Sequence, residues 1–242
     1  LTLGATVADI DVFGPRAENL RDPGTRLHLV ERFNRVPGIN ADIGIAFNQD
    51  FEVLGTNAVS VDVTLSTTGG ILLSTHGAAT DSTIILPHLD AAQTSWATAT
   101  PFATAKEPEW GCTIQTPAAL TNTTFWLGAK LTNTPVVATD NDQVIFRYAN
   151  GTDTNWQATY SVGGTDVTVD TGVAVAVSTQ YRMWLTVDSG RKCRFWINGK
   201  VVATSTALTS LTTLIPYVGV LSATDATSKT LILRNCWASR NY

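Results

Sequence analysis

The sequence predicts an all-β protein, a two-sheet antiparallel jelly-roll sandwich. Three observations carry this. Turn signals recur roughly every 8–15 residues along the chain, the spacing of short strands in a sandwich or jelly roll. Between the turns, apolar and polar side chains alternate with period two, and no stretch carries a convincing 3.6-residue period. Thr and Val fill the segments while Met occurs once in 242 residues, a composition suited to a pleated, half-buried surface rather than to helix.

Composition also bounds the function. Hydrophobic residues make up 44% of the chain and charged ones 15%, so the surface must rest on neutral polar groups. The formal net charge is -4 and no Lys/Arg cluster exceeds two residues. This argues against a surface that tracks phosphates, and so against a nucleic-acid partner. No apolar run approaches a membrane span, which needs about 20 residues, so no membrane partner is expected. No charged-then-apolar leader opens the chain. Leu1 as first residue implies processing, or numbering that begins inside a longer chain. Cys112, Cys193 and Cys236 are odd in number and widely spaced. Cys112 and Cys193 sit on the apolar phase of strand patterns and read as buried thiols. The paired C-x-x-C spacing of a zinc site is missing.

Residues 1–25 are rich in Gly, Pro and Asp and read as an extended N-terminal arm. Residues 26–242 read as one sandwich domain, because no shift in composition marks a linker. Leu27 to Val30 with Phe33 forms a first short strand, and Asp42 to Phe47 a strand or a turn of helix. Val59, Val61, Val63 and Leu65 alternate with Ser60, Asp62 and Thr64 as a strand, which Thr68-Gly69-Gly70 turns into Ile71-Leu72-Leu73. Thr83 to Leu86 is ended by Pro87. Glu109 to Thr116 places Trp110, Cys112 and Ile114 on one face. Thr123 to Leu131 places Phe125, Leu127, Ala129 and Leu131 opposite Trp126 and Lys130. Gln143 to Tyr148 leads to an Asn150-Gly151 turn. Trp156, Ala158 and Tyr160 mark the next strand, then Val167 with Val169 after Gly163-Gly164. Leu214 to Ser222 and Lys229 to Trp237 close the chain.

The strongest local signal is Tyr181 to Thr204. Tyr181, Met183, Leu185 and Val187 alternate with Arg182, Trp184 and Thr186; after a polar break, Cys193, Phe195 and Ile197 alternate with Lys192, Arg194 and Trp196. Asn198-Gly199 is the pair that best tolerates positive φ at both centres of a type I′ turn, and Lys200 to Thr204 return as a third strand. If Val187 pairs with Cys193, Leu185 faces Phe195 and Met183 faces Ile197 in the core. The same register sets Trp184 opposite Trp196, Thr186 opposite Arg194 and Arg182 opposite Asn198 on the other face. Trp184, Trp196, Arg182 and Arg194 are therefore the candidate binding or interface residues. Three occupants fit them: the chain's own arm or a long loop, a protein partner, or a sugar.

Tyr181 to Asp188, the strand-turn-strand Phe195 to Val202 and the late strand Lys229 to Trp237 make the C-terminal half resemble concanavalin A-like (laminin-G-like) jelly rolls. Phe51 to Ala58, Gly69 to Thr75 and Ile84 to Asp90 resemble, more narrowly, structural proteins of tailed bacteriophages in which such a jelly roll decorates the capsid or forms part of a fibre. The resemblance spans roughly residues 50–240 of the sequence. It implies a virion structural protein, a capsid decoration or cement protein. Its partners would be the major capsid protein or other virion proteins, it would form a homo-oligomer, and it would be located in the virion. A fibre or appendage, or a lectin-like module with a glycan partner, is the alternative.

Hydrolases of this fold need two carboxylates at alternate strand positions, an array such as E-x-D-x-x-E, so that acid and nucleophile share one face. None is present. Glu107 and Glu109 flank Pro108, which suits a solvated strand start. His28, His76 and His88 lie in separate segments, and no G-x-S-x-G elbow occurs. The sequence therefore predicts no catalytic residues and no enzyme. Asp140-Asn141-Asp142 clusters oxygen ligands that would suit calcium, but without a regular 1-3-5 spacing, and a solvated turn is the simpler reading. No metal and no cofactor are expected.

Overall fold

The computed structural model describes residues 26–37, 39–40, 51–87, 102–132 and 140–241. In chain order its strands are β1 (Arg26–Glu31), β2 (Ile39–Asn40), β3 (Phe51–Leu54), β4 (Val63–Leu65), β5 (Ile71–Ser74), β6 (Ser82–Pro87), β7 (Phe102–Ala103), β8 (Glu109–Gln115) and β9 (Thr123–Lys130). They continue with β10 (Gln143–Ala149), β11 (Asn155–Val162), β12 (Thr165–Ala174), β13 (Gln180–Val187), β14 (Lys192–Ile197), β15 (Lys200–Ala207), β16 (Thr213–Ser222) and β17 (Thr230–Asn241). Two short 3-10 turns, Ser60–Asp62 and Thr104–Lys106, are the helical elements among the described residues. The proposed arm at 1–25, the Asp42 to Phe47 segment and His88 lie outside the described residues.

The strands form two sheets. Sheet I runs β15-β14-β13-β8-β17-β5-β4, with β1 also on β17; sheet II runs β12-β11-β10-β9-β16-β6-β3-β2, with β7 also on β16. Every pairing is antiparallel except that of β2 with β3. Alternate residues of both sheets point inward and interlock. Phe146 of β10 meets Phe195 of β14 edge-on at 5.3 Å, and Trp156 of β11 meets Tyr181 of β13 at 5.4 Å. Such edge-to-face pairs suit the ring quadrupoles and add to the burial of large aromatic area.

The β13–β14 hairpin adopts the predicted register. Met183 pairs with Ile197, Trp184 with Trp196, Leu185 with Phe195, Thr186 with Arg194 and Val187 with Cys193. The turn that follows has φ of 49° at Asn198 and 86° at Gly199, both in the left-handed region that a type I′ turn demands. Asn198 closes it further: its side-chain oxygen accepts the Arg182 amide at 2.9 Å. Its own amide donates to the Arg182 carbonyl at 2.8 Å.

Three expectations need correction. Val59 to Leu65 is not one strand. The Asp62 carboxylate accepts the Val59 amide at 2.8 Å and the Asp62 amide donates to the Val59 carbonyl at 3.0 Å, so the first half curls into a 3-10 turn and leaves Val59 and Val61 exposed. Short polar side chains that bond nearby backbone compete with the strand in this way. Leu131 does not continue the inward face of β9; the strand ends at Lys130 and Leu131 is exposed. Glu109 is not solvated. It opens β8 and is fully buried.

Gly111 on β8 has a specific packing reason. A Cβ placed there would lie 2.6 Å from the ring of Trp237 on β17, which crosses over it. Gly111→Ala should therefore lower stability by about 1–3 kcal/mol, the usual cost of overpacking a filled site. Urea denaturation would show it, and an unchanged midpoint would mean that Trp237 moves aside freely.

Candidate functional site

The outer face of sheet I carries the four residues singled out by sequence, and the structure brings them together. Strand pairing lines up Val201, Trp196, Trp184, Gly111, Trp237 and Val30 in one row across six strands. Trp184 and Trp196 stack with ring centroids 5.5 Å apart and planes 11° from parallel. The Arg182 guanidinium lies 5.0 Å from the Trp184 ring centroid, a cation–π geometry. Trp196 donates its indole N–H to Thr186 Oγ1 at 3.1 Å, and Arg194 pairs with Asp188 at 3.1 Å.

This stacking decides what the face can bind. The two indoles turn their faces to each other, and Trp184 is only 3% exposed, so the pair presents no broad aromatic platform for a sugar ring. What reaches solvent is the half-buried Trp196, the Arg194 side chain at 43% exposure and Val201 at 45%. An aromatic, a guanidinium and an aliphatic group beside one another have the composition of a protein contact.

The outer face of sheet II holds a second set of groups that the sequence did not single out. A row runs from Asp166 through Ser161 and Gln143 to Lys130 across β12, β11, β10 and β9. Gln143 donates its side-chain amide to Ser161 Oγ at 3.1 Å, and Ser161 donates in turn to Asp166. Lys130, whose side chain is 1% exposed, forms an ion pair with Asp140 at 3.2 Å. Burial lowers the Lys130 ammonium pKa and the Asp140 charge partly restores it. Tyr217 of β16 lies beside this pair, with the Lys130 Nζ 6.0 Å from its ring centroid. Burial, and then the Asp140 charge, hold its phenol well above the usual range.

Around this polar row Ile84, Leu86, Trp126, Ile145 and Tyr217 form an apolar cluster separate from the main core. Three polar atoms within the set are buried without a hydrogen-bond partner among the described residues: Tyr217 Oη, Gln143 Oε1 and Trp126 Nε1. Each such atom costs roughly 1–3 kcal/mol, and native proteins carry few of them. Toward the β12 edge the face opens to Arg147, which pairs with Asp153 at 3.0 Å, and to the bonded hydroxyls of Thr159 and Thr168.

The acidic turn before β10 serves as a staple. Asp140 is taken by Lys130 and by the Thr132 hydroxyl at 2.7 Å. Asp142 accepts the Gly163 amide at 3.3 Å and the Thr209 hydroxyl. Both are nearly buried rather than solvated, and their oxygens are engaged with different partners. Among the described residues no group of three or more His, Cys, Asp or Glu is placed to hold a metal ion. Removing the Asp140 carboxylate strands a buried ammonium, so Asp140→Ala should lower stability by about 3–5 kcal/mol. A loss below about 1 kcal/mol in chemical denaturation would show that water already screens the pair.

No protein-family model matches the chain, and no curated protein does. By structure it is similar to a protein of unknown function from Shewanella oneidensis MR-1 (13% identity, 94% of each chain covered, TM-score 0.59). It is similar also to a Bacillus licheniformis β-glucanase (12% identity, 89% of this chain and 98% of that one, TM-score 0.55). A third similar structure is the metal-free carbohydrate recognition domain of Emp46p (6% identity, 78% of this chain and 87% of that one, TM-score 0.53). Further glycoside hydrolases and alginate lyases share the architecture. At these identities the likeness is one of fold: the chain is a concanavalin A-like jelly-roll sandwich.

That finding overturns the expectation of a non-enzyme, because the same sandwich carries glucanases, glycoside hydrolases and alginate lyases. The physical reason is that a sandwich gathers reactive side chains from several strands onto one sheet face, so a missing linear array does not exclude chemistry. Lys130, Asp140, Gln143 and Tyr217 come together here in that manner, from β9, a turn, β10 and β16.

Proposed function

We propose that the chain is a structural protein of a bacteriophage virion, decorating the capsid or built into a fibre or appendage in repeated copies. The partner would be the major capsid protein or another virion protein. The resemblance to phage structural proteins motivates this reading. The observation that carries it furthest is the outer face of sheet I, where Trp196, Arg194 and Val201 reach solvent over a rigid Trp184–Trp196 stack. Trp and Arg dominate the energetics of protein contacts, and a pre-stacked pair loses little side-chain entropy on docking. The protein should co-purify with particles at a fixed number of copies. Trp196→Ala should lower that occupancy at least about tenfold while the isolated domain stays folded, one buried aromatic anchor contributing about 2 kcal/mol or more. Absence of the protein from purified particles would end this reading.

A second reading is favoured by one specific observation. The three unpartnered buried atoms on the outer face of sheet II comprise a hydroxyl, an amide oxygen and an indole N–H, set among the rings of Trp126 and Tyr217. That inventory of donor, acceptor and apolar ring matches a saccharide; because Trp126 and Gln143 are 0% and Tyr217 5% exposed, a saccharide reaches it only if the face opens. On this reading the face binds a sugar chain, and cleavage of that chain is open to test. Calorimetric titration with soluble β-glucan and with alginate should detect binding, which Tyr217→Phe should weaken about tenfold. Reducing ends released during the titration would make the face a catalytic one. Binding unaffected by Tyr217→Phe would place the sugar elsewhere.

A further inference from the structure

Cys112 and Cys236 are far apart in sequence, yet strand pairing places them directly opposite each other on β8 and β17. Both are buried and both belong to the main core, so their side chains share the inner face of sheet I. The pairs on either side, Trp237 with Gly111 and Asn235 with Thr113, keep the same register.

We propose that Cys112 and Cys236 form a cross-strand disulfide when the chain folds under oxidising conditions, leaving Cys193 as the free thiol. Residues directly opposed in an antiparallel pair have Cα atoms about 4.5–5.5 Å apart, within the separation that a disulfide spans. Their Cβ atoms, about 4.5–5.5 Å apart, need to close by about 1 Å to meet disulfide geometry. The thiols are near enough to sense one another electrostatically, since the Cys112 side chain adds to the upward shift that burial imposes on Cys236. Cys193 is excluded. It pairs with Val187, whereas Cys112 pairs with Met183, so it lies two strands away and four residues along, beyond disulfide reach.

All three thiols are free and buried in this structure. Burial pushes the Cys112 and Cys236 thiols well above their ordinary pKa, which keeps the reactive thiolate scarce once the sandwich has closed. Oxidation therefore belongs to folding, before β17 docks beside β8. With glutathione disulfide as oxidant, the Cys236 thiolate attacks one of its sulfurs and releases a first glutathione. The Cys112 thiolate then attacks the Cys236 sulfur of the mixed disulfide and releases the second. The two protein thiol protons end on the two glutathione thiols, and the two electrons reduce the oxidant. The product joins the last strand of the chain to the middle strand of sheet I, closing a long loop and constraining the unfolded state.

The test is to unfold the full chain in reductant and refold it in a glutathione redox buffer. Thiols are then counted and linked peptides mapped by mass spectrometry. One free thiol at Cys193 and a Cys112–Cys236 peptide are expected, with Tm raised by about 5–15 °C over the reduced protein. Cys193→Ser should keep both the link and the shift, whereas Cys236→Ser should lose both. Three free thiols after oxidative refolding, or a link that includes Cys193, would overturn the proposal; neither outcome depends on a variant that fails to fold.

Discussion

Within sheet I, β13 is paired with β14 on one side and with β8 on the other, and those two ladders determine which of their side chains face the core. A slip of one residue would carry Met183, Leu185, Phe195 and Ile197 to the outside and bring Trp184, Trp196 and Arg194 in, because side-chain direction alternates along a strand. The register is held at both ends. Asn198, at the turn after β14, bonds the Arg182 backbone of β13 in both directions, and Gly111 leaves the space in which the Trp237 ring lies. From this register follow the Trp184–Trp196 stack and the placing of Glu109 opposite Thr186.

The two outer faces are built on different physical terms. That of sheet I is a packed aromatic ladder whose rings stabilise each other and leave an edge of Trp, Arg and Val in solvent. That of sheet II places a buried ion pair and three unpartnered polar atoms within an apolar cluster. The first is suited to contact with a partner surface at little conformational cost. The second holds three unmet hydrogen-bonding atoms among the described residues, and on the first Trp184 Nε1 is also unmet.

Much of the fold was legible because it is local. The alternation of β8, β9, β13 and β14 and the Asn198-Gly199 turn are written in adjacent residues, and pairing Val187 with Cys193 was enough to place both Trp side chains. The departures have local causes as well: Asp62 captures the Val59 amide and turns the chain before β4. What could not be read was which outward phase is itself covered. Trp126 and Lys130 lie on the polar phase of β9, and alternation alone does not distinguish a solvated face from a second buried one. Trp126 was the available signal, a large aromatic out of phase with the core. The grouping of Lys130 with Tyr217, or of Cys112 with Cys236, depends on strand order, which distant segments settle together.

Amide hydrogen exchange, comparing the free protein with the same protein mixed with purified particles, tests the proposed assembly face most directly. Docking should slow exchange in β13, β14 and β15 around Trp184 and Trp196, and leave β9, β10 and β16 unchanged until a saccharide is added. Protection that appears instead on β9, β10 and β16 when the particle is bound would contradict the proposal.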